Sequence, residues 1–175
     1  MIVPSRPASQ RGVSWVELIV SIALLTIFLL VFLERALYYQ EYGEMTAMEM
    51  TVANMRTGLR YKVADLIMNN RLSEIATLAD ENPINWLSSR PDNYLGEYDA
   101  APITDIAGKW YFDRTQRELV YTVNNRRHFV PGSGGDYTLR YRAMPVQAQQ
   151  AAAANGSRSQ KWISLVQVQE YVWLR

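Results

Sequence analysis

The 175-residue sequence contains no cysteine and a single histidine, His128. Without cysteine there are no disulfides, thiolate metal sites, iron–sulfur clusters or cysteine nucleophiles. One histidine leaves no His-rich metal site and one candidate imidazole base. No proline falls between Pro7 and Pro83, so that stretch holds no proline to break a helix. Excess charge of one sign is also missing: 18 Lys and Arg against 17 Asp and Glu give +1, and no overall basic field invites nucleic acid. An apolar fraction of 49% with 20% charged residues permits a packed core. A mean hydropathy of −0.17 argues against several membrane spans. The length suits one domain with an appended segment.

What is present is unevenly spread. Leu18 to Leu33 reads LIVSIALLTIFLLVFL, with Ser21 and Thr26 as its only polar side chains. Extended back to Val13, the run would be a helix of roughly 31 Å, close to the hydrocarbon thickness of a bilayer. Its one acid is Glu17. Arg6 and Arg11 precede the run, whereas Glu34, Glu41, Glu44 and Glu49 follow it against Arg35. The positive-inside rule therefore predicts a cytoplasmic N-terminus. The run is long for a secretory signal, and no small-x-small cleavage site follows. A plain signal anchor accounts for all of this except Glu17. An acid within a span costs about 2.5–3.5 kcal/mol on insertion scales, unless it lies near the headgroups or finds a partner.

Arg11-Gly-Val-Ser-Trp-Val-Glu17-Leu-Ile-Val and the apolar run behind it resemble the N-terminal signature of type IV pilin-like proteins. That family comprises pilins, minor pilins and the pseudopilins of type II secretion. The resemblance covers about residues 6–40. It implies that residues 1–12 are a leader cut by a prepilin peptidase after Gly12, and that Val13 becomes an N-methylated N-terminus. Glu17 matches the glutamate that pairs with the N-terminal amine of a neighbouring subunit during assembly. A buried carboxylate needs a cation, and an amine at similar depth supplies one. Three features depart from the pattern: Val13 stands where Phe is usual, Trp15 and Val16 replace the usual Thr/Leu-Ile type pair, and the helix-kinking proline is absent. Gly108-Lys-Trp-Tyr-Phe-Asp113 with Glu118-Leu-Val-Tyr121 also resembles a minor-pilin subgroup of mannose-sensitive haemagglutinin pilus loci.

Beyond the apolar run, Tyr38, Tyr42, Met45, Met48, Val52, Met55, Leu59, Val63 and Leu66 recur at helical spacing. This predicts an amphipathic helix ending near Asn69-Asn70, its Met-rich stripe serving as a core face under a sheet or as a partner-helix groove. Leu72, Ile75 and Leu78 predict a further helix over 71–79. Residues 82–107 read mostly as loop, pinned by Trp86, Leu87, Tyr94 and Leu95. Trp110–Phe112 and Leu119–Val123 read as a hairpin, 137–143 as a half-buried strand and 162–174 as the last strand region, with 147–160 as a loop. The expected fold is α+β: leader 1–12, membrane and assembly helix 13–33, amphipathic helical region 34–79, and a loop and antiparallel β-sheet domain 80–175. The helix-on-sheet pilin shape is what the resemblance implies.

Chemistry is sparse. His128 lacks a nucleophile and an orienting acid, so it reads as a surface or partly packed residue. Asp92, Glu97, Asp99 and Asp105 lie in one stretch but match no calcium-loop spacing. Ser133-Gly134-Gly135 is not followed by a phosphate-loop lysine. Arg126, Arg127, Arg140 and Arg142 are a candidate basic strip, weighed against sixteen bases and sixteen acids beyond Leu33. No catalytic residue, cofactor, metal or small-molecule substrate is expected, and nucleic acid is disfavoured. The expected role is a structural, minor subunit of a type IV pilus or type II secretion pseudopilus. Its partners would be other pilin or pseudopilin subunits, the prepilin peptidase and the bacterial inner membrane, with the C-terminal domain periplasmic. The alternative is a permanently anchored periplasmic binding or scaffolding domain with an uncleaved signal anchor.

Overall fold

A computed structural model describes residues 14–102, 105–132, 135–147 and 161–174, with backbone only for Gln147 and Lys161. The chain divides into two units, 1–39 and 40–175. Helix α1, Trp15–Met68, contributes to both. No proline interrupts it, and Thr26, Thr46, Thr51 and Thr57 each donate to the carbonyl four residues back, so hydroxyls that would compete with the helix are absorbed by it. The helix ends where Asn69-Asn70 predicts. Asn70 adopts a left-handed φ of 59°, the Arg71 N–H bonds the Leu66 carbonyl at 2.8 Å, and the Asn70 N–H bonds the Ile67 carbonyl at 3.1 Å. This is a Schellman stop with asparagine at the left-handed position.

The predicted second helix is present as a 3-10 helix, Leu72–Ala79. A short 3-10 turn, Pro83–Trp86, follows. Asn82 caps it by accepting from the Ile84 N–H at 3.1 Å, with Pro83 at the first helical position.

The larger sheet holds five strands in the order β1-β2-β3-β5-β6: β1 Tyr94–Tyr98, β2 Trp110–Asp113, β3 Glu118–Thr122, β5 Thr138–Gln147 and β6 Lys161–Gln167. The expected β2–β3 hairpin pairs Trp110 with Tyr121 and Asp113 with Glu118. The fold class is thus α+β with a long apolar helix, as the pattern indicates. Two details differ from the expectation. The sheet is mixed rather than antiparallel, because β1, within the stretch read as loop, runs parallel to β2. Gly96, at φ 122°, breaks the register between Tyr94 and Glu97 and masks the strand pattern. The expected last strand also divides. β6 stays in the large sheet, whereas β7, Val172–Trp173, pairs with β4, Phe129–Val130, in a separate two-stranded sheet. The expected loop lies outside the described residues from 148 to 160.

The core of unit 40–175 forms where α1 meets the sheet. Met48, Val52, Met55, Leu59, Val63 and Leu66 pack with alternate residues of the strands: Trp110 and Phe112, Leu119 and Tyr121, Leu139 and Tyr141, and Leu165. The Trp110 and Tyr121 rings lie 4.8 Å apart. The Met-rich stripe is therefore a core face. Its two N-terminal members depart from the expectation, since Tyr38 and Tyr42 are exposed. The buried line passes through Glu41 instead.

The two glycines of α1 answer to different constraints. A Cβ at Gly43 meets nothing within 4 Å, whereas one at Gly58 would lie 2.1 Å from the Trp86 carbonyl oxygen. Gly43→Ala should stabilise unit 40–175 by about 0.5–1 kcal/mol through helix propensity. Gly58→Ala should destabilise it by about 1–3 kcal/mol despite the same propensity gain. Denaturant unfolding followed by near-UV circular dichroism checks both; equal shifts of one sign would contradict the close approach.

Candidate functional site

The candidate site is the N-terminal half of α1. Thirteen large apolar side chains between Leu18 and Leu33 are all exposed, Phe28 at 68%. The helix is long and apolar enough to cross a membrane, and none of its apolar window is buried in the protein. That is compatible with a membrane anchor. Leaving such side chains in water forfeits about 1.5–3 kcal/mol each relative to burial, which favours an apolar environment for this half of the helix. Glu17 sits in the first helical turn and is exposed. There its negative charge is favoured by the N-terminal end of the helix dipole. Gly12 and Val13, the expected processing positions, lie outside the described residues.

A second set of carboxylates stands within unit 40–175. Glu41 is 1% exposed and accepts three hydrogen bonds: from the His128 backbone N–H at 2.9 Å, from His128 Nδ1 at 2.7 Å and from Trp173 Nε1 at 3.1 Å. An ionised carboxylate only accepts, so Nδ1 carries the proton. One turn on, Glu44 accepts from the Tyr121 hydroxyl at 2.9 Å, the Asn124 and Asn125 backbone N–H groups at 2.7 and 2.9 Å, and Asn125 Nδ2 at 2.7 Å. Seven donors from β3, the segment 124–128 and β7 thus converge on two helix residues. Burial raises the Glu41 pKa, but the donated bonds of His128 and Trp173 outweigh it and hold the carboxyl below its ordinary value of 4.5. Burial and the Glu44 carboxylate push the Tyr121 hydroxyl far upward, which keeps it a donor.

The pair was visible in the sequence only as flanking charge. Glu41 lies four and seven residues before Met45 and Met48, in register with the buried stripe. Helical register alone marked the position, and its acidic character hid it from a search for apolar residues.

Most of the remaining candidates hold structural contacts. His128 is partly packed through Glu41. Glu97 accepts from Asn82 Nδ2 at 2.8 Å, Asp99 pairs with Arg114 at 3.0 Å and Asp105 accepts from the Ala107 N–H at 3.3 Å. Among the described residues no three His, Asp or Glu gather as metal ligands. Arg140 and Arg142 converge on buried Glu118 at 3.2 and 2.6 Å, while Arg126 lies over the Tyr137 ring at 4.8 Å. Three of the four arginines thus have partners of their own and do not form one uncompensated strip. Ser133 and Gly134 lie outside the described residues. No protein-family model matches the chain, and no curated protein or solved structure matches it significantly.

A depressed folded-state pKa means that ionised Glu41 stabilises the fold. Its contribution is complete at neutral pH, begins to fade as pH falls past about 4.5 and is gone below the folded-state value. Glu41→Gln turns one acceptor into a donor facing N–H groups. It should cost about 1–3 kcal/mol at pH 7 and flatten the acid limb of the stability curve. Unfolding midpoints measured from pH 7 to pH 3 check this; an unchanged acid limb in the variant would contradict it.

Proposed function

We propose that the chain is a structural subunit of the minor kind in a type IV pilus or type II secretion pseudopilus. It is made as a prepilin, cut between Gly12 and Val13 by a prepilin peptidase, and held in the bacterial inner membrane by the first half of α1. It is then transferred into a fibre in which other subunits cover that half. The observation that carries this reading is the bare apolar half-helix with one acid in its first turn, on the same helix that forms the core of the C-terminal unit. A helix followed by a small sheet is the architecture the N-terminal signature leads one to expect.

Each part has a physical rationale. A helix with apolar side chains all round can exchange lipid for neighbouring helices at little change in burial. A lone acid gives that exchange a register, because a carboxylate in apolar surroundings binds best where a cation reaches it. Cutting after Gly12 removes Arg6 and Arg11, which tie the N-terminus to the cytoplasmic face. It also creates an amine four residues before Glu17.

The test is co-expression with a prepilin peptidase and a full set of pilus subunits, followed by mass spectrometry of the N-terminus. Loss of residues 1–12 with a methyl group on Val13 is expected. An uncut chain would favour the permanently anchored domain and overturn the proposal. In the same cells Glu17→Ala should leave the membrane-bound amount unchanged and reduce the sheared-fibre fraction about tenfold or more, the loss of one buried charge pairing.

A further inference from the structure

Within unit 40–175 a cleft of about 480 Å³ runs between α1 and the segment 86–91. Its size lies within the roughly 300–1,000 Å³ common for small-molecule sites. The polar side chains that line it are Thr51, Asn54, Thr57 and Tyr61 from the helix, with Ser88 and Ser89 opposite; none is charged at neutral pH. The Thr51 and Thr57 hydroxyls donate to the Ala47 and Ala53 carbonyls at 2.9 and 3.0 Å. With their hydrogens committed, both offer the cleft only lone pairs, fixed in direction by the helix.

The walls are held by neighbouring contacts. Gly58 lets the Trp86 carbonyl approach the helix more closely than any side chain would allow. Trp86 Nε1 donates to Glu81 at 3.0 Å, and Lys62 holds the same carboxylate oxygen at 2.9 Å. The cleft is thus shaped before any ligand arrives, which lowers the cost of binding. Tyr61, which also lines it, is 74% exposed.

We propose that this cleft binds a neutral, hydroxyl-rich ligand of the saccharide class. An anion or cation finds no opposite charge among the lining groups, and an apolar ligand would leave the fixed lone pairs unpaired. Sugar hydroxyls supply donors to Thr51 and Thr57 and exchange both roles with Asn54, Ser88 and Ser89. The C–H face of a pyranose suits the exposed Tyr61 ring. The inference is independent of processing and assembly, because every group involved belongs to unit 40–175.

The experiment uses the full chain in a detergent without a sugar headgroup. Methyl glycosides and disaccharides of glucose, galactose, mannose and N-acetylglucosamine are titrated while backbone amides are followed by NMR. At least one probe should give saturable shifts confined to residues 51–61 and 86–91. The double variant Asn54→Ala, Ser88→Ala changes exposed side chains and should keep the wild-type melting curve while weakening that probe about tenfold or more. Asn85→Ala, exposed but outside the cleft, should bind as wild type. Absence of saturable shifts with every probe, or equal affinity in the folded double variant, would overturn the proposal.

Discussion

Two carboxylates on one helix face join the C-terminal unit to its helix. Glu41 and Glu44 take seven donors from β3, the 124–128 segment and Trp173 of β7. The chain has no cysteine with which to tie its C-terminal segment down. β4 and β7 pair over only two residues each, too few to hold together unaided. Glu41 supplies what the short ladder lacks: it binds the backbone of the residue preceding β4 and the indole of β7 at once. Its burial is tolerable because every bond it accepts offsets desolvation.

This arrangement divides the labour along α1. From Met48 onward the helix is anchored by apolar packing, and at Glu41 and Glu44 by hydrogen bonds. Between Leu18 and Leu33 the same helix exposes thirteen large apolar side chains, with Ser21 and Thr26 as the only polar ones in that stretch. One half is therefore committed to the sheet, and the other has nothing in the described protein to bury it. The cost of exposing thirteen large side chains to water favours an apolar environment for that half. The proposed fibre is a means of satisfying that demand outside the bilayer.

Much of this was legible in the residues. The apolar run, the stripe from Met45 to Leu66 and the Asn69-Asn70 stop obey local rules of period and capping. The β2–β3 hairpin does too, because two short aromatic and β-branched runs flank a polar turn. What escaped was non-local. β1 runs parallel to β2, and Gly96 interrupts its alternation, so no local pattern announced it. The last strand region divides, β7 pairing with β4 while Trp173 donates to Glu41, some 130 residues earlier in the chain. At the candidate site, Glu17 and the apolar face were plain from sequence. The structural importance of Glu41 was not, since a buried acid is recognised only through the donors that the fold brings to it.

The central claim is that the exposed half of α1 is covered by other subunits rather than permanently by lipid. The cysteine-free sequence allows a direct measurement. A single cysteine is placed at Val16, on the exposed first turns, and cells carrying all pilus subunits, with cysteines at matching depth, are treated with a membrane-permeant bismaleimide. The account predicts cross-links to other pilin-like subunits that appear with an active prepilin peptidase and vanish without it. A Val16→Cys chain that stays monomeric in both cases, while remaining reactive to maleimide, would contradict it.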